Sequence, residues 1–429
     1  MNTELAIEPV MATDGAPEGV HARWIGCLDV DRVGNHDGPV RVSVSDRNGY
    51  RRARILLRSG SEPIDFIEAD IVDGAVTLTL PRPAREDVRA PVTSSAPISI
   101  VLCTRERPED LAGALASLRA VDYPDFEIVV VDNAPSTDAT ERVVAAAGDP
   151  RIRRVVEPVA GLSNARNRGL RAASHDIVAF TDDDVVVDPY WLQALARGFD
   201  RSDDIACVCG MVPSGELRTT AQVYFDQRVS WAATLTPRTY SLAEPPPDLP
   251  LFPFQVGIYG TGANFAIKRS AAVAMGGFDE ALGAGTSTKG GEDIDMFFRL
   301  VAAGHTLVNE PAAIVWHRHR SDGAALLTQA RGYGLGLGAW LTKVFTDRVH
   351  RRLALRVARK QFRSSLRAGA DYGAIMVPPA DLGDSIPKSV GRTEVLSVLG
   401  GPWALWRGRR QGRRPKPIQE SGLWGSRGG

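Results

Sequence analysis

Hydrophobic and polar positions along the chain follow three successive patterns. Between Arg23 and Leu80, apolar residues come in short runs: VRVSVSD (Val40–Asp46), ARILLRSG, IDFIEADI and AVTLTLP. Asn48-Gly49, Ser59-Gly60 and Asp73-Gly74 punctuate them, which predicts short β-strands joined by tight turns. From Ile98 the pattern changes. ISIVLC (Ile98–Cys103) is a continuous apolar run with β-branched residues, as expected of a strand buried on both faces. Arg107–Ala120 has a helical period, with Leu111, Ala114, Leu115 and Leu118 on one side. A second buried strand over Glu127–Val131 ends in Asp132, followed by a helix (Thr137–Ala147), a strand (Arg153–Val156), a helix (Ser163–Ala173) and a strand (Asp176–Thr181). This alternation predicts right-handed βαβ units and a mostly parallel sheet, whose ligands bind at the carboxyl ends of the strands. Those ends read Thr104-Arg105, Asp132-Asn133 and Asp182-Asp183-Asp184. The third pattern is basic and amphipathic: a helix over Trp340–Arg367, then Leu396–Leu405 running into WRGRRQGRRPK.

The chain of 429 residues is long enough for two to four domains. The patterns divide it into a disordered leader (1–20), a small β-rich module (21–80), a Pro-rich linker (81–96), an α/β domain (97–340) and a basic helical region (341–429). Composition excludes wholesale disorder, with 44% apolar and 24% charged residues. The 51 Lys+Arg cancel the 51 Asp+Glu, which argues against nucleic acid as a partner. The balance hides an asymmetry, because residues 341–429 hold 18 basic against 6 acidic residues. Such helices suit an anionic membrane surface or, equally, a cap packed on the domain before them.

Four cysteines are too few for a disulfide scaffold, and Cys207-x-Cys209 has no further ligands to complete a zinc set. Reduced thiols in a cytoplasmic protein are expected, at most touching the inner face of the plasma membrane. The acidic N-terminus lacks the start of a signal peptide, and no run of 18 apolar residues predicts a membrane span.

AFTDDDVVVDPYWL (Ala179–Leu192) sets three carboxylates at the mouth of a buried strand. Like charges repel and resist desolvation, so a fold that gathers them there fits a resident cation better than a solvated loop or helix cap. Asp182 and Asp184, two apart, point the same way on an extended segment, and oxygen ligands suit Mg²⁺ or Mn²⁺. Glu292 and Asp293 follow Gly290-Gly291 and open an amphipathic helix; they are either N-terminal capping or a general base in close reach of an acceptor. In VWHRHR, His317 and His319 alternate beside Arg318 and Arg320, a pattern for metal or diphosphate contact. Arg166 opens a helix where it could meet a diphosphate. In GTGANFAIKR, Gly262 and Asn264 border an acceptor or form a simple turn. Trp231, Trp316 and Trp340 suit ring stacking or the core. RGYGLGLGAW imitates a phosphate loop, but no strand precedes it; close helix packing or a mobile acceptor-side loop is expected.

Together these segments resemble the family 2 glycosyltransferases. The resemblance runs from about Ala96 to Tyr333 and rests on PISIVLCTRERPEDLAGALASL, FEIVVVDNAPSTD, GLSNARNRGL, AFTDDDVVVDPYW, GTGANFAIKR, GGFDE, GGEDIDMFFRL and VWHRHR, in order. It implies a GT-A-type doubly wound mixed sheet with a nucleotide-sugar half (97–215) and an acceptor half (216–340). It further implies a donor site of Thr104, Arg105, Asp132, Asn133, Arg166 and Asp183, and a metal shell of Asp182, Asp184 and His317 for Mn²⁺ or Mg²⁺. Asp293, with Glu292, matches the family's base. The expected reaction moves a sugar, with inversion, from a nucleotide-sugar donor to a glycan, lipid-linked or small-molecule acceptor. A sugar nucleotidyltransferase would want a glycine-rich loop after the first strand, which TRERPED lacks. A non-catalytic sugar- or lipid-binding relative would not need all these acids.

Overall fold

A computed structural model of the chain describes residues 5–12, 15–34, 38–81, 95–229, 231–368 and 389–411. Six strands come first: β1 (Ala6–Ile7), β2 (Trp24–Asp29), β3 (Val40–Val44), β4 (Arg52–Ser59), β5 (Glu62–Asp70) and β6 (Ala75–Leu78). They form two three-stranded sheets, β1-β3-β6 and β2-β4-β5, closed over Trp24, Leu28, Val42, Ile55, Leu57 and Val76. β3 to β6 lie where the apolar runs predict them. β1 corrects the expectation of a disordered leader: Ala6–Ile7 pairs with Ser43–Val44, and the Val10 amide donates to the Ile25 carbonyl. A two-residue strand is too short to carry a period of its own, so only its partner's register defines it. Most of the expected linker (81–96) lies outside the described residues.

The second unit begins with β7 (Ile98–Thr104), α1 (Pro108–Arg119), β8 (Phe126–Asn133), α2 (Ala139–Ala147), β9 (Ile152–Glu157), α3 (Leu162–Ala172) and β10 (Ile177–Thr181). Strands β9-β8-β7-β10 are all parallel. There follow β11 (Val185–Val187), α4 (Trp191–Phe199), β12 (Ile205–Met211), α5 (Thr220–Arg228), β13 (Arg238–Tyr240), β14 (Asn264–Lys268), α6 (Arg269–Ala274), α7 (Glu292–Ala302) and β15 (Thr306–His317). The sheet runs β11-β15-β12-β14-β10-β7-β8-β9, with β13 against β15 and β14 antiparallel to both its neighbours. This is the expected doubly wound mixed sheet. Successive residues of its strands feed opposite cores: Ile100, Leu102 and Val130 pack with Leu115, Trp191 and Leu195, whereas Val101, Val129 and Val131 pack with Leu170, Phe265 and Phe297. Each such side chain contributes about 1.5–3 kcal/mol by leaving water, and both faces are needed to hold β7, β8 and β10 in one plane.

The N-terminal sheets lean on this unit. Met11, Ile25 and Leu56 pack with Met211, Leu217, Ile314 and Trp316. Arg58 meets Asp188 at 2.5 Å and Arg54 meets Asp226 at 2.7 Å.

Among the described residues four helices follow: α8 (Gly323–Thr346), α9 (Arg348–Ala368), α10 (Ser389–Val398) and α11 (Gly401–Gln411). The single helix expected over Trp340–Arg367 is corrected to two, because Asp347 is extended and its carboxylate accepts from the Val349 and His350 amides at 2.8 Å, starting α9 afresh. RGYGLGLGAW lies within α8, and its glycines serve two contacts. A Cβ at Gly336 would stand 2.6 Å from the Gly290 carbonyl carbon, and one at Gly334 or Gly338 would stand 2.1 Å from a backbone oxygen of α10. These residues thus permit close helix packing. Residues 369–388 and 412–429 of the expected basic region lie outside the described residues. Among the described residues, no helix is long and apolar enough to cross a membrane.

Candidate active site

The carboxyl ends of β7 and β10, the start of α7 and the end of β15 converge on a cavity of about 380 Å³. β10 is fixed at its tip by the Thr181 hydroxyl, which donates to the Ala263 carbonyl at 2.9 Å. Beyond it the three aspartates part ways. Asp183 turns toward β7, where it accepts from the Thr104 hydroxyl at 2.7 Å and pairs with Arg107. Asp184 lies 3.3 Å from His317 Nε2 and 3.1 Å from Arg107 Nη2. Asp182 stands 3.9 Å from Arg166 Nη2. One ligand atom each from Asp182, Asp184 and His317 falls within 4.8 Å of the others. Two carboxylates and an imidazole form an oxygen-rich donor set that fits Mg²⁺ or Mn²⁺ and is too poor in nitrogen and sulfur for a structural zinc site.

Their charges are incompletely balanced. Desolvation pushes the Asp182 carboxyl up, offset in part by Arg166 and reinforced by Asp184. Asp183 is pushed up to about 7 by burial against the pull of Arg107. Burial would raise Asp184 too, but His317, Arg107 and Arg320 outweigh it and hold it low. His317 shows the reverse: burial lowers an imidazole, yet Asp184 holds it above its ordinary value.

Across the cavity, Gly291 adopts φ 94°, and a Cβ there would stand 2.8 Å from the Gly336 carbonyl oxygen. This lets α7 start against α8 with both acids turned inward. Glu292 accepts from Arg166 Nη1 at 3.0 Å, and Arg166 Nη2 donates to the Gly262 carbonyl at 2.9 Å. The Gly262 amide in turn donates to Asp293 Oδ2 at 2.8 Å, while Asp293 Oδ1 accepts from the Ile294 amide at 2.8 Å. One residue, Gly262, therefore orients both the guanidinium and the second acid. Burial, followed by the charge of Asp293, pushes the Glu292 carboxyl up, with Arg166 pulling against it.

Thr104, Arg105, Asn133, Arg166, Asp182, Asp183, Asp184, Gly262, Glu292, Asp293 and His317 all line this one cavity. Two expected residues do not. Asp132 is fully buried beside it, with Oδ2 accepting from Arg154 Nε at 2.9 Å. Asn264 is corrected from an acceptor contact to a core brace: it accepts from the Trp191 indole at 2.8 Å and donates to the Met211 and Ala313 carbonyls. Asn133 spends its amide on the Val159 carbonyl and the Gly161 amide, so it shapes the loop before α3. Of the three tryptophans, Trp231 lines the cavity and the other two are buried. His319 is buried beside Phe225, and neither ring nitrogen has a hydrogen-bond partner among the described residues. Arg107, Gln329 and Tyr333 line the cavity without having been singled out by the sequence pattern. The signal for Arg107 was present, since it lies three residues past the end of β7 and just before α1.

The family profile described as glycosyl transferase family 2 matches residues 99–272, from β7 into α6. The pre-mycofactocin glycosyltransferase of Mycobacterium tuberculosis is 28% identical over 295 residues, covering 68% of this chain and 53% of that protein. The succinoglycan biosynthesis protein ExoM of Rhizobium meliloti is 31% identical over 51% of this chain and 65% of its own length. Among solved structures, the mannosyltransferase PcManGT from Pyrobaculum calidifontis, in complex with GDP-Man and Mn²⁺, aligns at a TM-score of 0.45 and 19% identity, covering 76% of this chain and 85% of that one. The chain spans about half the length of the mycobacterial relative. The matched segment carries the aspartate trio, Arg166 and Gly262, so the similarity to glycosyl transferase family 2 extends over these parts of the cavity.

Proposed function

We propose that the protein transfers a glycosyl group from a nucleotide-activated sugar to an acceptor hydroxyl, with inversion and with a divalent metal. The observation that carries this reading is the shared cavity, in which the Asp182–Asp184–His317 set and Asp293 face one another's space. Asp182, Asp184 and His317 would hold the metal. When bound, a divalent ion would neutralise charge on the departing diphosphate.

The remaining residues have separable tasks. Thr104 and Arg107 hold Asp183 at the β7 edge, where the nucleoside end of the donor would lie. Arg107 and Arg320, close to Asp184, supply further positive charge toward the diphosphate. Asp293 is the base. Both its oxygens accept backbone hydrogen bonds, which fixes its carboxylate while leaving lone pairs to take the acceptor's proton. Glu292 is committed to Arg166 and positions that guanidinium. A single base and a single displacement give inversion, with no carboxylate nucleophile. Trp231 and Tyr333, at the cavity wall, offer faces for an acceptor ring.

The test is nucleotide release from UDP-, GDP- and dTDP-sugars with Mn²⁺, comparing the wild type with Asp184→Asn and Asp293→Asn. Asp184→Asn should lower turnover on the best donor by about 100-fold or more, and Asp293→Asn by about 100- to 10,000-fold. Wild-type rates in both variants would overturn the assignment.

A further inference from the structure

We infer that the outer side of α10 and α11 docks on the surface of an anionic phospholipid bilayer. Both helices pack on α8 by their inner side, where Val390, Ala404 and Leu405 are buried and Gly401 meets Gly338. The side turned away from α8 is apolar and open: Leu396 is 66% exposed, Leu399 78% and Trp403 59%, with Val395 and Trp406 also exposed. Large apolar side chains held out by so tight a backbone contact cannot fold inward to hide.

Charge selects the occupant. Arg407 lies over the Trp403 ring at 5.2 Å and Arg410 over Trp406 at 3.8 Å, so each indole carries a cation over its face. α11 contains no acid, and the one acid of α10, Glu394, is paired with Arg228. α9, which packs on the same α8, exposes Arg348, Arg351, Arg352, Arg356 and Arg359 with no carboxylate in the helix. Indole rings flanked by guanidinium groups suit the headgroup layer, where the ring is half wet and the cation meets lipid phosphate.

The contact also has a route to the cavity. Leu405 packs with Ala281 and Leu282, and the Leu282 carbonyl accepts from Ser163 at the start of α3, two residues before the cavity wall at Ala284. Packed residues thus join the docking helices to the cavity wall. The docking itself stands on this surface alone and not on the transfer reaction.

Flotation of the full chain with vesicles of phosphatidylcholine and phosphatidylglycerol in equal parts, against phosphatidylcholine alone, tests the proposal. The wild type should float with the anionic vesicles, and high salt should weaken this. Leu399→Glu/Trp403→Glu should lower the bound fraction by about tenfold or more, and Arg407→Gln/Arg410→Gln by about tenfold. Both variants should retain the wild-type thermal transition and nucleotide release, because none of these residues lines the cavity. Absence of wild-type flotation, or equal flotation of the glutamate variant, overturns the proposal. So does a wild-type dimer that the glutamate variant abolishes, which would assign the face to a second copy. Flotation that appears only after removal of residues 412–429 would assign it to the chain's own terminus and overturn it as well.

Discussion

Two buried acid clusters lie on the same sheet and are treated in opposite ways. Glu310, inside β15, is fully buried, and each of its oxygens meets a guanidinium: Arg197 at 3.2 Å and Arg201 at 2.6 Å. Arg197 also pairs with Glu62 of β5, so this network joins α4, β15 and the N-terminal sheets. Of the trio at the end of β10, Arg107 pairs only with Asp183 and Asp184, Arg166 stands 3.9 Å from Asp182 and Arg320 4.0 Å from Asp184. Burial raises Asp182 and Asp183 there, whereas Glu310 is fully matched. A cluster whose charge is balanced from within stabilises the fold. One left short of positive charge is costly unless something positive arrives, and that distinguishes a site from a brace.

The contrast can be broken most sharply by substitution on each side. Asp182→Asn should lower nucleotide release by about 100-fold or more, while its urea midpoint stays level or rises, because a raised carboxyl is replaced by a neutral isostere. Arg197→Met should do the reverse. It leaves Glu310 with one cation and should cost about 3 kcal/mol in urea unfolding, with activity per folded molecule retained. If Asp182→Asn unfolds the protein, or Arg197→Met removes activity at full stability, the two clusters have been assigned the wrong way round.

The next effect is smaller and its sign is the test. In an open helix, Gly→Ala stabilises by about 1 kcal/mol. A Cβ at Gly338, however, would stand 2.1 Å from the Val398 oxygen. Gly338→Ala should therefore destabilise by about 2 kcal/mol, as read by urea unfolding. A gain in stability would mean that α10 does not pack as described.

Much of this was legible in the chain. The apolar runs located β7, β8 and β10 because strands buried on both faces have no polar positions to blur them. The strand-end rule then directed attention to the aspartate trio. What the pattern could not reveal depends on distant partners. The place of Arg107 just past a strand end was legible, but its partners Asp183 and Asp184 are brought to it only by the pairing of β10 with β7. Asn264 reads as a polar residue bordering a site, yet three groups from α4, β12 and β15 consume its amide. The break at Asp347 was hidden by an amphipathic period that continues across it.

The mildest test lies at the amino ends of the strands, opposite the cavity, where no ligand is expected. Glu127, at the start of β8, accepts from the Ser99 hydroxyl at 2.7 Å, the Ser174 amide at 2.6 Å and Arg153 Nε at 2.9 Å. Desolvation would raise its carboxyl, but Ser99, Ser174 and Arg153 outweigh it and bring it down to about 2, against 4.5 unperturbed. A lowered folded value means that the charged form stabilises the fold. That contribution is complete above the unfolded value of 4.5 and fades as pH falls toward 2. Solvent screening limits it to about 1–2 kcal/mol. Glu127→Gln should therefore reduce stability by that amount at neutral pH, and the difference from the wild type should narrow through this acid window, while nucleotide release at neutral pH stays unchanged. A difference that widens on acidification would show that Glu127 is protonated in the fold, and the hydrogen bonds drawn to its carboxylate would have to be reassigned.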